Sequence, residues 1–163
     1  MSKARKGFTL VEILIVVVIL GILAAIVIPQ FTNASESARA SSLISQLQSI
    51  RSQLELYQVQ HNGTYPDLST DWTPMTEYTE IDGTVHATKP ANNSPVVYGP
   101  YLQQAPVNPF ENSSTVSQAD PLPAGVAGTG WVYDNTNGQV KGVIAATKAT
   151  EVNLTNTNDI ATY

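Results

Sequence analysis

An apolar run near the N-terminus constrains the fold of this chain more than any other feature. Residues 8–28 contain a single charged residue, Glu12. A helix of this length extends about 31 Å, which is enough to cross the hydrocarbon core of a bilayer. The sequence therefore predicts a long N-terminal helix whose first half spans a membrane.

Basic residues flank this run on one side. Lys3, Arg5 and Lys6 precede it, and the next basic residue is Arg39. Short flanking segments that are rich in Lys and Arg stay in the cytoplasm. We therefore expect a single-pass protein whose N-terminus is cytoplasmic and whose body lies outside the cytoplasm.

The residues alone leave the fate of this segment open. A cleaved secretory signal requires small residues before the cut, and Ala24-Ala25 meets this requirement in part. However, Leu23 occupies the third position before a cut after Ala25. A permanent membrane anchor requires no cut, but it leaves Glu12 without a role.

A third interpretation comes from a family resemblance. The residues KGFTLVE, 6–12, with the apolar helix that follows, resemble the class III signal of type IV pilins and type II secretion pseudopilins. The resemblance implies that a membrane-embedded prepilin peptidase removes the leader, residues 1–7, by cutting between Gly7 and Phe8. The peptidase then methylates the new N-terminus of Phe8. Glu12 becomes the fifth residue of the mature chain, where the family has its glutamate.

Glu12 needs a partner if it enters a membrane. A charge at the centre of a membrane helix costs about 2.5–3.5 kcal/mol on the insertion scale, and less near a helix end. The implied cut creates a charged amine on Phe8, and we expect Glu12 of one subunit to pair with the Phe8 amine of a neighbour in a filament core. Because desolvation offsets much of the attraction, this pair sets register more than it adds stability. The alternative is a Glu12 side chain that reaches the membrane interface and has no partner.

Gly21 and Pro29 interrupt the apolar segment. Proline lacks a backbone donor and clashes with the preceding turn, so Pro29 should kink or loosen the helix. The resemblance implies that the turns between these two residues melt during assembly, whereas a fixed kink is the simpler alternative. We assign residues 8–31 to a transmembrane and polymerisation helix.

The pattern becomes amphipathic beyond Pro29. Apolar residues recur at spacings of three and four, which predicts one apolar stripe that packs under a sheet. The stripe comprises Ala40, Leu43, Leu47, Ile50, Leu54 and Tyr57. Gly63 is suited to a left-handed helix end. The sequence therefore predicts one helix over about 8–61, with its amphipathic part at 32–61.

The remainder of residues 32–163 predicts a turn-rich sheet region. Residues 130–143, GWVYDNTNGQVKGV, have the alternation and the Asn-Gly turn of a β-hairpin. Residues 143–147 could extend its second strand, and residues 111–130 have the composition of an exposed loop. The expected fold class is therefore α+β and pilin-like, with the long helix packed on a small antiparallel sheet.

Two softer matches lie in this body. NGTYP, 62–66, and GPYLQQAPVNPF, 99–110, resemble the end of the long helix and the connecting loop of the major pseudopilin of type II secretion. The chain has no cysteine, whereas many type IV pilins close a C-terminal loop with a disulfide. The resemblance therefore favours a pseudopilin over a type IV pilin.

Charge and composition exclude some classes of function. The formal net charge is −5, and removal of Lys3, Arg5 and Lys6 would make it −8. Such an acidic body argues against direct binding of nucleic acid through phosphate contacts. His61, at the expected helix end, has a predicted capping or solvent role, and His86 has no evident partner. We therefore expect no enzymatic activity.

Cofactors are not expected, with calcium as the one candidate. The resemblance implies a calcium site near the C-terminal end, and calcium prefers six to eight oxygen ligands. Asp134, Glu151 and Asp159 are the acids available there, but they are spread along the chain. They remain weak candidates. The glycine-rich GVAGTG, 125–130, is interpreted as a flexible loop because no strand-to-helix unit surrounds it.

The expected function is structural. By resemblance, the chain is a subunit of a type II secretion pseudopilus in the bacterial inner membrane, with a homopolymer, a prepilin peptidase and an inner-membrane assembly platform as partners. The first alternative is a major or minor type IV pilin at the cell surface, serving adhesion, motility or DNA uptake. The second is a membrane-tethered carbohydrate-binding module with Trp72 or Trp131 as contacts.

Overall fold

A computed structural model of the chain describes residues 7–91, 94–156 and 158–163. Its contacts divide the chain into two compact units, Met1–Ser37 and Ala38–Tyr163. The elements in chain order are α1 Leu10–Gln60, α2 Thr73–Thr76, β1 Tyr78–Glu80, β2 Val85–His86, β3 Val97–Tyr98, β4 Val116–Gln118, β5 Trp131–Asp134, β6 Gln139–Ile144, α3 Ala146–Glu151 and β7 Ile160–Thr162.

The described part of the first unit is dominated by the start of α1. The large apolar side chains from Phe8 to Phe31 are all at least 40% exposed. By length and composition, α1 is able to cross a membrane. The helix continues on both sides of Pro29. The predicted long apolar helix is thus confirmed, with observed limits that differ by one or two residues.

In the second unit, the later half of α1 buries one stripe. The six predicted stripe residues are all buried, as the three- and four-residue spacing indicates. The helix ends where Asn62 and Gly63 adopt left-handed backbone angles, with φ values of 55° and 84°. The Gly63 amide donates to the Gln58 carbonyl at 2.8 Å, which satisfies one of the last open carbonyls.

Two sheets complete the second unit. The first has strand order β2-β1-β3 and is antiparallel throughout. The second has order β4-β5-β6-β7. Its central pair β5/β6 is the predicted antiparallel hairpin, whereas the outer strands β4 and β7 run parallel to their neighbours. The α+β class is confirmed, but the single antiparallel sheet is replaced by one antiparallel sheet and one mixed sheet.

Two local predictions in this region are wrong. The expected loop 111–130 contains β4, whose pairing with β5 depends on a partner distant in sequence. The expected extension of the hairpin over 143–147 stops at Ile144, and α3 begins at Ala146. Ala145 and Ala146 have a low preference for strands, which favours the end of β6 at this point although Thr147 is itself a common strand residue.

Glycines in this region allow close approach between segments. A Cβ on Gly125 would lie 2.7 Å from the carbonyl oxygen of Ala161. A Cβ on Gly142 in β6 would lie 2.7 Å from Cδ1 of Leu43 in α1. The segment containing Gly125 is therefore closely packed against its neighbour, which corrects the interpretation of GVAGTG as simply flexible.

The core lies between the later half of α1 and the sheets. Its buried members are Leu43, Leu47, Ile50, Leu54, Tyr57, Leu68, Trp72, Met75, Tyr101, Val116, Trp131, Tyr133, Val140, Ile144, Ala149 and Ile160. All of them belong to the second unit. The apolar side chains of α1 in the first unit contribute nothing to this core.

Candidate functional site

A reciprocal pair of side-chain hydrogen bonds begins α1. The backbone amide and the hydroxyl of Thr9 donate to Oε2 of Glu12, at 2.9 and 3.0 Å. In return, the Glu12 amide donates to the Thr9 hydroxyl at 3.2 Å. This is a capping box, which satisfies amides that the first helical turn otherwise leaves open. The Glu12 carboxylate is thereby directed back towards the start of the helix.

The capping box was not identified from the sequence. Its signature, a threonine followed three residues later by a glutamate before an apolar run, is present at Thr9 and Glu12. Among the described residues, Thr9 therefore binds Glu12 within the same chain, and the pairing of Glu12 with a neighbouring subunit stays a prediction.

The other predicted assembly residues lie before and along the same helix. Gly7 and Phe8 precede α1, and the side chain of Phe8 is 82% exposed. Gly21 and Pro29 lie within α1, in its exposed apolar part. Most of the predicted leader, residues 1–6, lies outside the described residues. Cleavage, methylation, pairing and helix melting stay predictions.

The calcium candidates are engaged in other contacts. The oxygens of Asp134 accept from the Thr136 amide and the Asn137 side chain, both at 2.9 Å. Glu151 pairs with Lys148 at 2.7 Å. The third candidate, Asp159, binds Arg51 at 2.7 Å.

These contacts decide whether the donor set fits a calcium ion. Within residues 7–91, 94–156 and 158–163, no three His, Cys, Asp or Glu side chains form a group that could hold a metal ion. Calcium needs many oxygens directed at one point, and the three acids present their oxygens to separate donors. The residues described therefore do not fit calcium, which stays an expectation from resemblance.

His61 is buried rather than solvated. Its ring stacks on Tyr57, with centroids 3.7 Å apart. Nδ1 contacts the Tyr57 carbonyl at 2.9 Å and Nε2 contacts the Thr79 hydroxyl at 3.0 Å. The predicted solvent role is therefore wrong, whereas the contact with a carbonyl of the last helical turn agrees with capping. His86 has a partner after all, since its Nε2 lies 2.6 Å from Oε1 of Glu80.

Both tryptophans belong to the core. Trp72 and Trp131 are 2% and 0% exposed. Their rings pack edge to face, with centroids 6.3 Å apart. Their indole N–H groups donate to the carbonyls of Ser114 and Pro106. Neither ring is available to stack on a sugar, so the carbohydrate-binding alternative loses the contacts on which it depended.

A cleft of about 420 Å³ near the end of α1 has two acids among its lining residues, Asp67 and Asp82. A backbone amide donates to each carboxylate, from Ser69 and Thr84 respectively, and lowers its pKa. A general acid or base that works near neutral pH requires a raised carboxyl pKa. The cleft therefore has binding volume but lacks a poised carboxyl group.

Known proteins match both units of the chain. Residues 2–28 match the prokaryotic N-terminal methylation motif. Type II secretion system core protein G of Vibrio cholerae is 35% identical over 116 residues, which cover 69% of this chain and 71% of that protein. The chain belongs to the type II secretion core protein G family. The expected pseudopilin membership is thereby confirmed.

Other proteins similar to this chain include a further core protein G and a fimbrial protein. The core protein G of Pseudomonas aeruginosa is 32% identical over 113 residues, which cover 68% of this chain and 71% of that protein. A fimbrial protein of Pseudomonas aeruginosa is 37% identical over 86 residues, which cover 50% of this chain and 55% of that protein. No solved structure matches the chain at a significant level.

Proposed function

We propose that this chain is the repeating structural subunit of a type II secretion pseudopilus, which polymerises through its N-terminal helix and helps to export folded proteins. It acts without enzymatic activity of its own. The observation that carries the proposal is the exposed apolar start of α1, headed by the Thr9–Glu12 capping box inside a methylation motif. Membership of the core protein G family supports the same conclusion.

Processing makes the helix competent for assembly. A prepilin peptidase cuts between Gly7 and Phe8 and methylates the Phe8 amine. The capping box supports the pairing of this amine with a carboxylate, because it holds the Glu12 side chain close to the start of the helix. Both hydrogen bonds that Thr9 donates to Glu12 are accepted by Oε2 of the carboxylate. Oε1 is then directed to the amine of a neighbouring subunit.

The proposed location follows from the charges and the apolar segment. The subunit is held in the bacterial inner membrane by residues 8–31, with its body in the periplasm. Assembly passes through an inner-membrane platform, and the finished filament is a homopolymer. Because repeated head-to-tail contacts do not close on themselves, they generate an open helical polymer.

A second candidate function is that of a type IV pilin. The identity to a fimbrial protein, which extends over about half of each chain, favours this candidate. A pseudopilin and a type IV pilin use the same assembly helix, so an assay of protein export is needed to distinguish the two functions. Deletion of the gene would abolish secretion of folded substrates in the first case and surface filaments in the second.

Replacement of Glu12 tests the polymer proposal directly. We expect Glu12→Ala to abolish filament formation on overexpression, because the pair that sets register is lost, while the chain remains inserted in the membrane. Glu55→Ala, at an exposed position of the later helix, is the matched control and should assemble normally. Electron microscopy of sheared filaments provides the measurement.

Mass spectrometry of the purified product supplies the second arm. The mature chain should begin at a methylated Phe8 in the wild type and in both variants. A product that still starts at Met1, or that starts after Ala25, would contradict the proposed processing. Filaments of normal abundance from Glu12→Ala would contradict the pairing.

A further inference from the structure

Arg51 lies at the centre of a set of oxygen atoms near the C-terminal end. Its Nη1 donates to Oδ1 of Asp159 at 2.7 Å. Its Nη2 donates to the carbonyls of Asn158 at 2.7 Å and Val140 at 3.0 Å. One guanidinium on α1 thus binds a carboxylate and two backbone carbonyls from two other segments.

The turn before β7 is shaped to present these oxygens. The Asn156 side chain donates to the second oxygen of Asp159 at 2.6 Å, and the Asp159 amide donates to the Asn156 carbonyl at 3.0 Å. The Asn158 amide donates to the Asn156 side-chain oxygen at 3.0 Å. These bonds fix the carboxylate and the Asn158 carbonyl on the side of the turn that faces Arg51.

A carboxylate with backbone carbonyls is the kind of donor set that a hard cation takes in proteins. Here the positive charge belongs to the chain itself. The guanidinium forms charge-assisted bonds with a fixed geometry, which an ammonium group does not reproduce. The side chains of Arg51 and Asp159 are 34% and 20% exposed, so solvent screens the pair only in part.

The contact joins three elements of the second unit. Arg51 belongs to α1, Val140 belongs to β6, and the turn at Asn158 and Asp159 leads directly into β7. In the part of the chain that the structure describes, β7 is an outer strand of three residues whose one neighbour in its sheet is β6. Such a short edge strand gains little from its own ladder, so the Arg51 contacts hold its entry point.

We propose that Arg51 is a built-in cation that fastens the C-terminal segment, and that the chain consequently reaches its folded stability without calcium. The Arg51 site thereby replaces the metal site that the family resemblance implies. This inference concerns the fold of the body and does not depend on filament assembly.

The test uses the full chain in detergent micelles, with hydrogen exchange of the β7 amides and the melting temperature as readouts. In the wild type, calcium chloride and a calcium chelator should give the same melting temperature. Arg51→Gln should speed exchange in β7 about tenfold, since charge-assisted hydrogen bonds are lost. Arg39→Gln, an exposed position on the same helix, is the control and should leave exchange unchanged.

Two results would overturn the inference. One is a higher melting temperature of the wild type in calcium than in chelator. The other is wild-type exchange of β7 in Arg51→Gln. If Arg51→Gln fails to fold, Arg51→Lys decides, because lysine keeps the charge but loses the forked geometry. Faster exchange in β7 of that variant supports the inference, and unchanged exchange overturns it.

Discussion

His61 is a buried histidine surrounded by aromatic rings. It is buried beneath Tyr57, and the rings of Tyr98 and Tyr101 approach it edge-on at 5.5 and 6.2 Å. Burial lowers the pKa of His61, while the carbonyl contact of Tyr57 and the charge of Asp82 oppose this shift. Burial also raises the pKa of Tyr101 to about 12, so that phenol stays neutral. The cluster therefore favours a neutral imidazole.

Acid should weaken the fold through this histidine. The unfolded chain has a His pKa near its ordinary value of about 6.5, above the folded value, so the unfolded state binds more protons between the two. Stability is therefore present above about pH 6.5 and is lost as pH falls towards the folded pKa. Urea unfolding between pH 8 and pH 5, followed by circular dichroism, should show this decline.

Two histidine variants separate this effect from general acid sensitivity. His61→Gln should flatten the decline, because no proton can be taken up at that position. His86→Gln, which alters the half-buried partner of Glu80, should retain it. An identical pH dependence in the wild type and His61→Gln would rule out His61 as the cause.

At the scale of elements, the sequence predicted the elements that form through contacts between residues close in sequence. The stripe of α1 and the hairpin β5/β6 depend on spacings and turns within one stretch of chain, so both were predicted from sequence. β4, α3 and β7 were missed because each is short, and β4 and β7 also pair with strands that do not adjoin them through a tight turn. The same limit applies to the site. Glu12 was identified from its charge, whereas the Arg51 contacts join residues far apart and carry no local pattern.

The contact between α1 and β6 requires a glycine at position 142, because a larger residue would meet Leu43. Gly142→Ala would place a Cβ 2.7 Å from Cδ1 of Leu43, so Leu43 must move or the elements must separate. We expect a loss of about 1–3 kcal/mol in the free energy of unfolding, typical of overpacking. Chemical denaturation of the purified variant measures it.

A double variant checks the cause of this loss. Leu43→Val shortens the side chain that the new methyl group meets, so Gly142→Ala should cost less in that background than in the wild type. Equal losses in the two backgrounds would show that strain within β6, rather than contact with α1, explains the effect.

At the scale of the molecule, the two units differ in whether their apolar side chains are buried or exposed. Every member of the buried core lies after Ala38, whereas the apolar side chains from Phe8 to Phe31 remain exposed. The folding of the second unit therefore depends on contacts within that unit. The described part of the first unit, residues 7–37, has no buried apolar side chain, and by length and composition its helix is able to cross a membrane.

The body should consequently fold without the first unit. A chain consisting of residues 38–163 should unfold cooperatively and remain monomeric in the absence of detergent. Near-ultraviolet circular dichroism reports the fixed environment of the edge-to-face pair Trp72 and Trp131, and sedimentation reports the mass. Loss of the near-ultraviolet signal with retained far-ultraviolet signal would indicate that the core needs the first unit.

The mixed sheet has a further consequence for the behaviour of the body in concentrated solution. Its outer strands, β4 and β7, have three residues each. Unpaired strand edges are templates for amyloid-like aggregation, and short edges limit that hazard. This sheet therefore offers little backbone for uncontrolled cross-β growth between copies.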